Sequence, residues 1–222
     1  MVILSNEVEK SLVMKECMVA VFLDIEKAYD TMWREGLLIK LESIGINGKM
    51  YNYILDFLSQ RTLRIKVGDG ISEEFMVESG IPQGSVISPI LFNIMINDIF
   101  EKLGNNIDVL LYADDAVIWK RGRNFSYIVK QIQKEVEVLE QWGVDWGFKF
   151  SIQKSKVMYF TRKKVPRNLK IMLYNQELER GEKFKYLGVW FDGKLSWKVH
   201  IEYIETKCKK VMNLMRMVTG HY

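Results

Sequence analysis

Two adjacent carboxylates, Asp114 and Asp115, stand between two apolar runs in the segment LLYADDAVIW, residues 110–119. The apolar runs predict two buried strands joined by a tight turn. In such a water-poor place, neighbouring negative charges repel each other and lose hydration unless a cation neutralises them. Because Mg²⁺ takes carboxylate oxygens as ligands and keeps positions open for phosphates, the pair predicts a metal site. An ordinary aspartate-rich turn is the alternative interpretation.

A third carboxylate is available near the end of another apolar run. Asp24 lies in MVAVFLDI, residues 18–25, which predicts a buried strand that leads into a helix. If this strand lies beside the hairpin, three carboxylates meet at one edge of the sheet. Such a cluster could hold two Mg²⁺ ions about 4 Å apart, an arrangement that serves phosphoryl transfer. Asp24 could instead be the N-cap of the following helix.

A glycine-bearing loop, SGIPQGSVISP at residues 79–89, is the third candidate segment. Gly80 and Gly84 allow a backbone to approach a ligand closely, and Gln83 offers both a donor and an acceptor. The alternative interpretation is a simple entry to a helix, in which Ser88 caps and Pro89 takes the first helical position.

The elements that position these residues follow from the spacing of the apolar side chains. Helices are predicted at residues 6–16, 26–45, 49–61, 88–104 and 126–147, with a last helix from about Trp197. Strands are predicted at residues 18–25, 107–113, 116–120, 156–160, 169–174 and 184–191, and a hairpin at 63–77. We therefore expect an α+β fold: an antiparallel sheet packed on helices, with the strands 18–25, 107–113 and 116–120 at its centre.

Composition narrows the class of protein. The chain has 222 residues, of which 48% are hydrophobic and 27% charged, as suits a globular protein with one domain or a domain and an appendage. No apolar run approaches the roughly 20 residues that span a bilayer, and no secretory signal is evident, so no membrane partner is expected. Cys17 and Cys208 stand far apart, which argues against a disulfide framework or a zinc site and favours an intracellular compartment.

Charge is unevenly distributed along the chain. Residues 151–222 hold 16 of the 32 Lys and Arg residues but only 6 of the 28 Asp and Glu residues, which leaves +10 there and −6 in residues 1–150. Such a basic segment suits a polyanionic partner. Lysine-rich helix faces that are merely solvated are the alternative interpretation.

Five segments occur in the order and spacing of the reverse transcriptase motifs called A to E: FLDIEKAYD, SGIPQGSVISPILFNIMINDI, YADD, GFKFSIQKSK and KYLGV. Over roughly residues 15–205 the chain resembles the palm region of a non-LTR (LINE-type) retrotransposon reverse transcriptase. The resemblance implies a polymerase palm with a ferredoxin-like sheet at residues 1–195 and the start of a thumb-like helical segment at 196–222. It also implies that the fingers and most of the thumb are missing.

The resemblance implies roles for the acidic residues and for one lysine. Asp24, Asp114 and Asp115 match the catalytic, metal-binding carboxylates, and the main-chain carbonyl of Ile25 would add a ligand to the metal. Lys154 falls near the lysine that has been proposed to donate a proton to the leaving pyrophosphate. A solvated surface lysine is the alternative at that position.

The resemblance also implies contacts to the substrates. Tyr29 matches the residue that blocks a ribose 2′-OH, although its spacing alone fits a core aromatic. Residues that would contact the incoming nucleotide and the template are Gln83 and Gly84. A tight turn that would support the primer's 3′ end comprises Tyr186, Leu187 and Gly188.

The implied activity is RNA-directed DNA polymerisation with two Mg²⁺ ions, which Mn²⁺ can replace, on an RNA template, a DNA primer and dNTPs. A nuclear location is expected from the family's habit of copying RNA at chromosomal DNA. His200 and His221 fit no catalytic triad. Two other interpretations stay open: an inactive element remnant that at most binds RNA or DNA, and a nucleotide-binding regulator on the same fold. The sequence indicates no oligomeric state.

Overall fold

The computed structural model describes residues 1–219; residues 220–222, which include His221, lie outside that range. The helices in it are α1 (Val2–Val13), α2 (Ala28–Thr31), α3 (Arg34–Ser43), α4 (Gly48–Leu58), α5 (Ser88–Ile96), α6 (Phe125–Trp146) and α7 (Lys198–Thr219). The longer strands are β1 (Cys17–Asp24), β6 (Asp108–Tyr112), β7 (Asp115–Gly122), β8 (Lys156–Phe160), β11 (Glu179–Gly181), β12 (Lys183–Tyr186) and β13 (Val189–Asp192). Two-residue strands complete the set: β2 (Thr62–Leu63), β3 (Lys66–Val67), β4 (Gly70–Ile71), β5 (Phe75–Met76), β9 (Met172–Leu173) and β10 (Gln176–Glu177).

The main sheet has the strand order β11-β8-β1-β7-β6. Its four antiparallel strands, taken in chain order, lie as fourth, first, third and second, and helices connect the first to the second and the third to the fourth. This is the ferredoxin-like arrangement, and it confirms the expected α+β class. The fifth strand, β11, joins β8 in parallel.

The placement of residues 107–113 at the centre of the sheet was wrong. The corresponding strand, β6, pairs only with β7 and forms the edge of the sheet. Its side chains are half-buried or exposed, whereas Cys17 to Leu23 in β1 are all buried. Because β1 is covered on both faces, it reads as a continuous apolar run. Strand β6 contains a shorter apolar run, Val109 to Leu111. This run did not distinguish an edge strand from a central one.

Helices α5 and α6 cover one face of the sheet. As predicted, the α6 side chains that pack there are Ile128, Ile132, Val136, Leu139 and Trp142. The helix begins where the side chain of Asn124 accepts a hydrogen bond from the Tyr127 amide, and it ends at Gly147, whose φ of +74° suits glycine. This apolar face provides the rigid base of the sheet.

The other face is covered only in part, by α1 and by the hairpin of β12 and β13. It forms a second, smaller core made of Leu4, Val8, Leu12, Met18, Ala20, Phe22, Val117, Trp119, Met158, Phe160, Tyr186 and Phe191. Alternate residues of β1 point to the two faces, so Phe22 belongs to this core, whereas Leu23 belongs to the helix side. Beyond Phe22, this face is open at the end of β1.

The predicted helix at 26–45 is in fact two helices, α2 and α3. Met32 and Trp33 between them have extended backbone, with ψ of 127° and 113°. The Trp33 ring packs so closely over Gly36 that a Cβ there would lie 2.3 Å from it. Helix α3 stops before Gly45 as predicted, where φ is +86°. The apolar spacing could not reveal the break, because residues on both sides of it reach the same core.

Ser88 does not cap the helix that begins there, contrary to the expectation. It lies inside the first turn of α5, and its hydroxyl donates a hydrogen bond to the Pro82 carbonyl at 2.6 Å. The buried hydroxyl thereby closes the loop of residues 79–87 on itself. The predicted hairpin at 63–77 is present, with β3 and β4 around the Gly68 turn and β2 paired with β5 outside it.

Candidate active site

The two predicted acidic segments meet at the open end of the sheet. Strands β1 and β7 are antiparallel, and their register places Asp24 directly opposite Asp115. Asp114 lies in the turn that joins β6 to β7, beside Ala113, which has a φ of +51°. Pairing on both sides of β7 fixes the backbone at Asp115, so the position of the carboxylates is set by the sheet and not by a free loop.

Placing two carboxylates opposite each other has an electrostatic cost. Like charges in directly paired positions of a sheet repel each other. Burial raises the pKa of Asp115 above its ordinary value, and the negative charges of Asp114 and Asp24 raise it further. Lys154 acts in the other direction: its Nζ lies 3.2 Å from Oδ2 of Asp24 while most of its side chain is exposed. The Asp24 amide donates to the Ser155 hydroxyl at 3.2 Å, which ties β1 to the segment that carries Lys154.

These residues fit a divalent cation in their chemistry. Oδ2 of Asp24 is buried and, among the described residues, has no hydrogen-bond partner; the Lys154 contact lacks hydrogen-bond geometry. A buried carboxylate oxygen that accepts no hydrogen bond, beside a carboxyl of raised pKa, is a place where a cation with oxygen ligands would be stabilised. Within residues 1–219, however, no three His, Cys, Asp or Glu side chains are already arranged to hold a metal ion. The Asp24–Asp115 pair therefore carries the fit.

The main chain at Ile25 is compatible with a further ligand. Ile25 forms an isolated antiparallel bridge with Phe150. The two hydrogen bonds of that bridge come from the flanking residues: Glu26 donates to Lys149, and Ser151 donates to Asp24. The bridge therefore does not use the Ile25 carbonyl, while it holds the end of β1 in place.

A cleft of about 320 Å³ opens beside the carboxylates. It is lined on the sheet side by Asp24, Asp115 and Lys154, and on the hairpin side by Phe184, Lys185 and Tyr186. The cleft thus joins the acidic pair to the β12–β13 hairpin, which is the segment predicted to support a primer.

Tyr29 is half-buried next to this site. Its ring stacks on Phe92 of α5, with centroids 4.9 Å apart and planes at 19°. Burial raises the pKa of its hydroxyl, and the charge of Asp114 adds to the effect, so the hydroxyl end lies within the field of the acidic turn. The ring therefore packs on the core, as its spacing suggested, while the charge of Asp114 acts on its hydroxyl.

Gln83 and Gly84 are exposed at the tip of the glycine-bearing loop. The side-chain amide of Gln83 donates to Oδ1 of Asp30, in α2, at 2.8 Å. Gly84 has a φ of +85° with open space where a Cβ would lie. Both residues are thereby presented to solvent from a loop that is anchored on the helix carrying Tyr29.

The turn between β12 and β13 consists of Leu187 and Gly188, both at positive φ, +46° and +85°. Two central residues at positive φ match the type I′ hairpin turn, whose twist suits the flanking strands. Tyr186, which precedes the turn, is buried; its hydroxyl has no hydrogen-bond partner among the described residues. Burial strongly raises the pKa of Tyr186, and the charge of Asp115 adds to it. Any contact made by this turn would therefore come from its backbone and Leu187.

One residue that binds the glycine-bearing loop escaped the sequence analysis. Arg34, the first residue of α3, is buried and donates to the carbonyls of Ser79 and Gly80 at 2.8 Å each. In the sequence it is simply a polar residue at a helix start, and its partners lie 45 and 46 positions away. No local pattern could have revealed these contacts.

A ferredoxin-like sheet with paired carboxylates on adjacent strands at its open end has the architecture of a polymerase palm. The chain also matches the sequence model of the reverse transcriptase (RNA-dependent DNA polymerase) family over residues 5–191. It belongs to that family, and reverse transcriptases generally use divalent metal ions and bind a nucleic-acid template. No helix in the described range is both long and apolar enough to cross a membrane.

The chain is similar in sequence to polymerases of mobile elements, as the motifs predicted. The chain is 27% identical to the RNA-directed DNA polymerase from mobile element jockey of Drosophila melanogaster, over 86% of this chain and 21% of that protein. It is 28% identical to the probable RNA-directed DNA polymerase from transposon X-element of the same species, over 94% and 22%. The chain thus spans about a fifth of the length of these relatives. The expected resemblance to non-LTR retrotransposon polymerases is confirmed.

Solved structures agree with the fold. Telomerase from Candida tropicalis, truncated from its C-terminal domain, superposes with a TM-score of 0.57 at 14% identity, covering 84% of this chain and 37% of that one. Telomerase from Candida albicans, in a complex with a fragment of telomeric RNA, gives a TM-score of 0.55 at 16% identity, covering 86% and 32%. At such identities the likeness concerns the fold alone.

Proposed function

We propose that this chain provides the catalytic palm for RNA-directed DNA synthesis in a non-LTR retrotransposon. The reaction would transfer a deoxynucleotide to a primer 3′-OH along an RNA template. The observation that carries the proposal is the register of β1 and β7, which sets Asp24 opposite Asp115 at the open end of a rigid sheet, with Asp114 adjacent in the turn. Membership of the reverse transcriptase family supports it.

Two Mg²⁺ ions, replaceable by Mn²⁺, are the proposed cofactors. The groups that would hold them are the carboxylates of Asp24, Asp114 and Asp115 and the carbonyl of Ile25. When bound, the ions would make the primer hydroxyl more acidic and neutralise charge on the triphosphate. The chain itself contributes position: the paired strands hold the carboxylates, and the raised pKa of Asp115 reflects negative charge that a cation would offset.

The nucleotide would lie between α2 and the loop at 79–84. Tyr29 would close the space beside the ribose C2′, because its ring is held by the stack on Phe92. Gln83 and Gly84 would contact the nucleotide and template from the loop tip, where both are exposed. The ammonium of Lys154 is mostly exposed and sits at the acidic pair, from where it would give a proton to an oxygen of the leaving pyrophosphate.

The primer's 3′ end would rest on the turn of Leu187 and Gly188, at the tip of the hairpin that lines the cleft beside Asp115. The proposed partners are therefore an RNA template, a DNA primer and dNTPs. The formal charge of +10 over residues 151–222 supports a polyanionic partner on this part of the chain. By its likeness to non-LTR elements, we also propose that the protein acts in the nucleus.

Primer extension tests the proposal. The purified chain is given an RNA template, a DNA primer, dNTPs and either Mg²⁺ or Mn²⁺, and Asp115→Ala is compared with the matched variant Asp108→Ala. Asp108 is exposed on the neighbouring strand β6 and belongs to no part of the site. We expect extension by the wild type and by Asp108→Ala, and a loss on the order of a thousandfold in Asp115→Ala.

Two results would overturn the assignment of activity. A folded wild-type chain that binds primer–template in a salt-sensitive way without extending it would be a nucleic-acid-binding remnant. Binding of free nucleotide with no affinity for primer–template would favour a nucleotide-binding regulator. Neither result would change the membership of the family, which rests on the sequence.

A further inference from the structure

The loop of residues 79–84 is held against the end of α2 by its own backbone. The Gly80 amide donates to the Met32 carbonyl at 2.9 Å, and the Ile81 amide donates to the Tyr29 carbonyl at 2.8 Å. Gly80 has a φ of +75°, and a Cβ there would lie 2.5 Å from the carbonyl oxygen of Asp30. The approach is therefore possible only for glycine. These two hydrogen bonds use amides of the loop and leave the carbonyls of Ser79 and Gly80 available.

Arg34 binds those carbonyls. Its Nε donates to the Gly80 carbonyl and its Nη2 to the Ser79 carbonyl, both at 2.8 Å, so one planar group grips two consecutive peptide units. Arg34 is only 9% exposed. In residues 1–219 it forms no ion pair with a carboxylate, although the charge of Glu35 acts on it. A buried cation that is held by carbonyls alone is unfavourable compared with an apolar side chain of similar size.

A second arginine reaches the same carbonyl. Nη1 of Arg61, which follows α4, donates to the Gly80 carbonyl at 3.4 Å. The two positive charges oppose each other: burial lowers the pKa of Arg34, and the charge of Arg61 lowers it further. The chain thus places two mutually repelling guanidinium groups on one peptide oxygen. Stability alone does not account for this arrangement, but a need to fix the loop does.

The fixed loop in turn fixes the two sides of the proposed nucleotide site. Gln83 lies three residues beyond Gly80 and is bonded to Asp30 of α2 at 2.8 Å. Tyr29 lies next to Asp30 in the same short helix. The loop is bonded to the backbone of Tyr29 and Met32 and to the side chain of Arg34. A loop that shifted away from Arg34 would therefore carry Gln83 away from Tyr29.

We propose that Arg34 is a positioning residue: by gripping the carbonyls of Ser79 and Gly80, with Arg61 on the same oxygen, it sets the distance between the loop tip at Gln83 and the helix that carries Tyr29. Its kinetic consequence rests on the proposed function. Loss of the grip would weaken nucleotide binding without removing any group that touches the reacting atoms.

The grip is tested directly by hydrogen exchange at the amides of Gly80 and Ile81 in the full chain. Arg34→Met keeps the bulk of the side chain and removes the donors, whereas Arg34→Lys keeps the charge but cannot fork across two carbonyls. Arg64→Met is the matched control, because Arg64 is exposed and only pairs with Glu74 on the surface. We expect about tenfold faster exchange at both amides in Arg34→Met, a smaller increase in Arg34→Lys and none in the control.

A kinetic comparison follows if the wild type extends primers. We expect the KM for dNTPs to rise about tenfold in Arg34→Met, with kcat changed by about twofold or less. Unchanged exchange at Gly80 and Ile81, or a loss confined to kcat, would overturn the proposal. If Arg34→Met unfolds, Arg34→Lys decides: equally fast exchange in β1 and in the loop would make Arg34 a stability residue only. If the wild type does not extend primers, the proposed function is refuted. The hydrogen-exchange result still decides whether Arg34 holds the loop.

Discussion

The two faces of the central sheet differ in how they treat polar groups. On the face covered by α5 and α6, a continuous apolar core fills the space between sheet and helices. On the other face, under α1 and the β12–β13 hairpin, lie buried polar atoms that have no hydrogen-bond partner in the described part of the chain: the hydroxyls of Ser11 and Tyr186, the indole nitrogen of Trp119 and an oxygen of Asp24.

This difference indicates that the two faces of one sheet have different roles. Unsatisfied buried polar groups are rare in folded proteins and reduce stability. Here they gather on the face where Asp24 and Asp115 meet, while the helix-covered face contains none of the four. The helix face therefore stabilises the sheet, and the opposite face uses part of that stability to hold charged and polar groups in place.

The largest difference should come from truncating the helix face. Val136→Ala removes a fully buried side chain of α6, whereas Val144→Ala removes an exposed one from the same helix. We expect a loss of about 2 kcal/mol in the free energy of unfolding for the first and less than about 0.5 kcal/mol for the second. Urea denaturation measures both. Equal losses would mean that α6 does not seal a tightly packed core.

A smaller and opposite effect is expected for the acidic pair. Asp115→Asn removes the charge that faces Asp24, so it should raise the free energy of unfolding at neutral pH by about 0.5 to 1 kcal/mol in metal-free buffer. The folded-state pKa of Asp115 lies above the ordinary value of 3.8. The free energies of unfolding of the two proteins should therefore be closest below pH 3.8. That of the wild type should fall relative to that of the variant as the pH rises through the raised pKa of Asp115.

Denaturation of both proteins across this pH range measures the gap between their free energies of unfolding. A gap that narrowed with rising pH would contradict the placement of Asp115 among negative charges.

The smallest contrast lies between two buried tyrosines on opposite faces. The hydroxyl of Tyr159 donates to the Leu169 carbonyl at 3.4 Å, whereas that of Tyr186 has no hydrogen-bond partner within residues 1–219. Tyr159→Phe should lower the free energy of unfolding by about 0.5 kcal/mol, and Tyr186→Phe should leave it unchanged or raise it by a similar amount. Thermal unfolding of the two variants side by side gives the sign, and a loss in Tyr186→Phe would reveal a partner for its hydroxyl.

The sequence predicted those parts of the fold that depend on local periodicity. Helix α6 was predicted by five apolar residues on one side, and β1 by its unbroken apolar run. The acidic hairpin also followed from a short-range pattern. The apolar spacing predicted one strand at 184–191, where the structure has two, and only the resemblance to the family implied the turn between them. The prediction failed where one apolar spacing fits two structures. The spacing over residues 26–45 fits one helix or two, and the chain has two, separated by Met32 and Trp33.

Long-range contacts were beyond the reach of the sequence. Nothing near Arg34 indicates that its partners are main-chain carbonyls far along the chain. The same holds for Lys40, a buried lysine that pairs with Asp98 and lies over the Trp146 ring at 3.8 Å. Asp24, Asp114 and Asp115 were found as charges set beside apolar runs, and the order of the motifs implied their roles. Their register, which makes Asp24 and Asp115 neighbours, came only from the structure.

The most direct test of the account is the stability of wild type and Asp115→Asn with and without Mg²⁺. In EDTA the variant should unfold at the higher urea concentration, because it lacks the repulsion with Asp24. In excess Mg²⁺ the order should reverse, since an ion that binds only the folded wild type adds to its stability. Equal shifts in both proteins, or a wild type that is already the more stable in EDTA, would contradict the claim that the sheet positions this acidic pair for a cation.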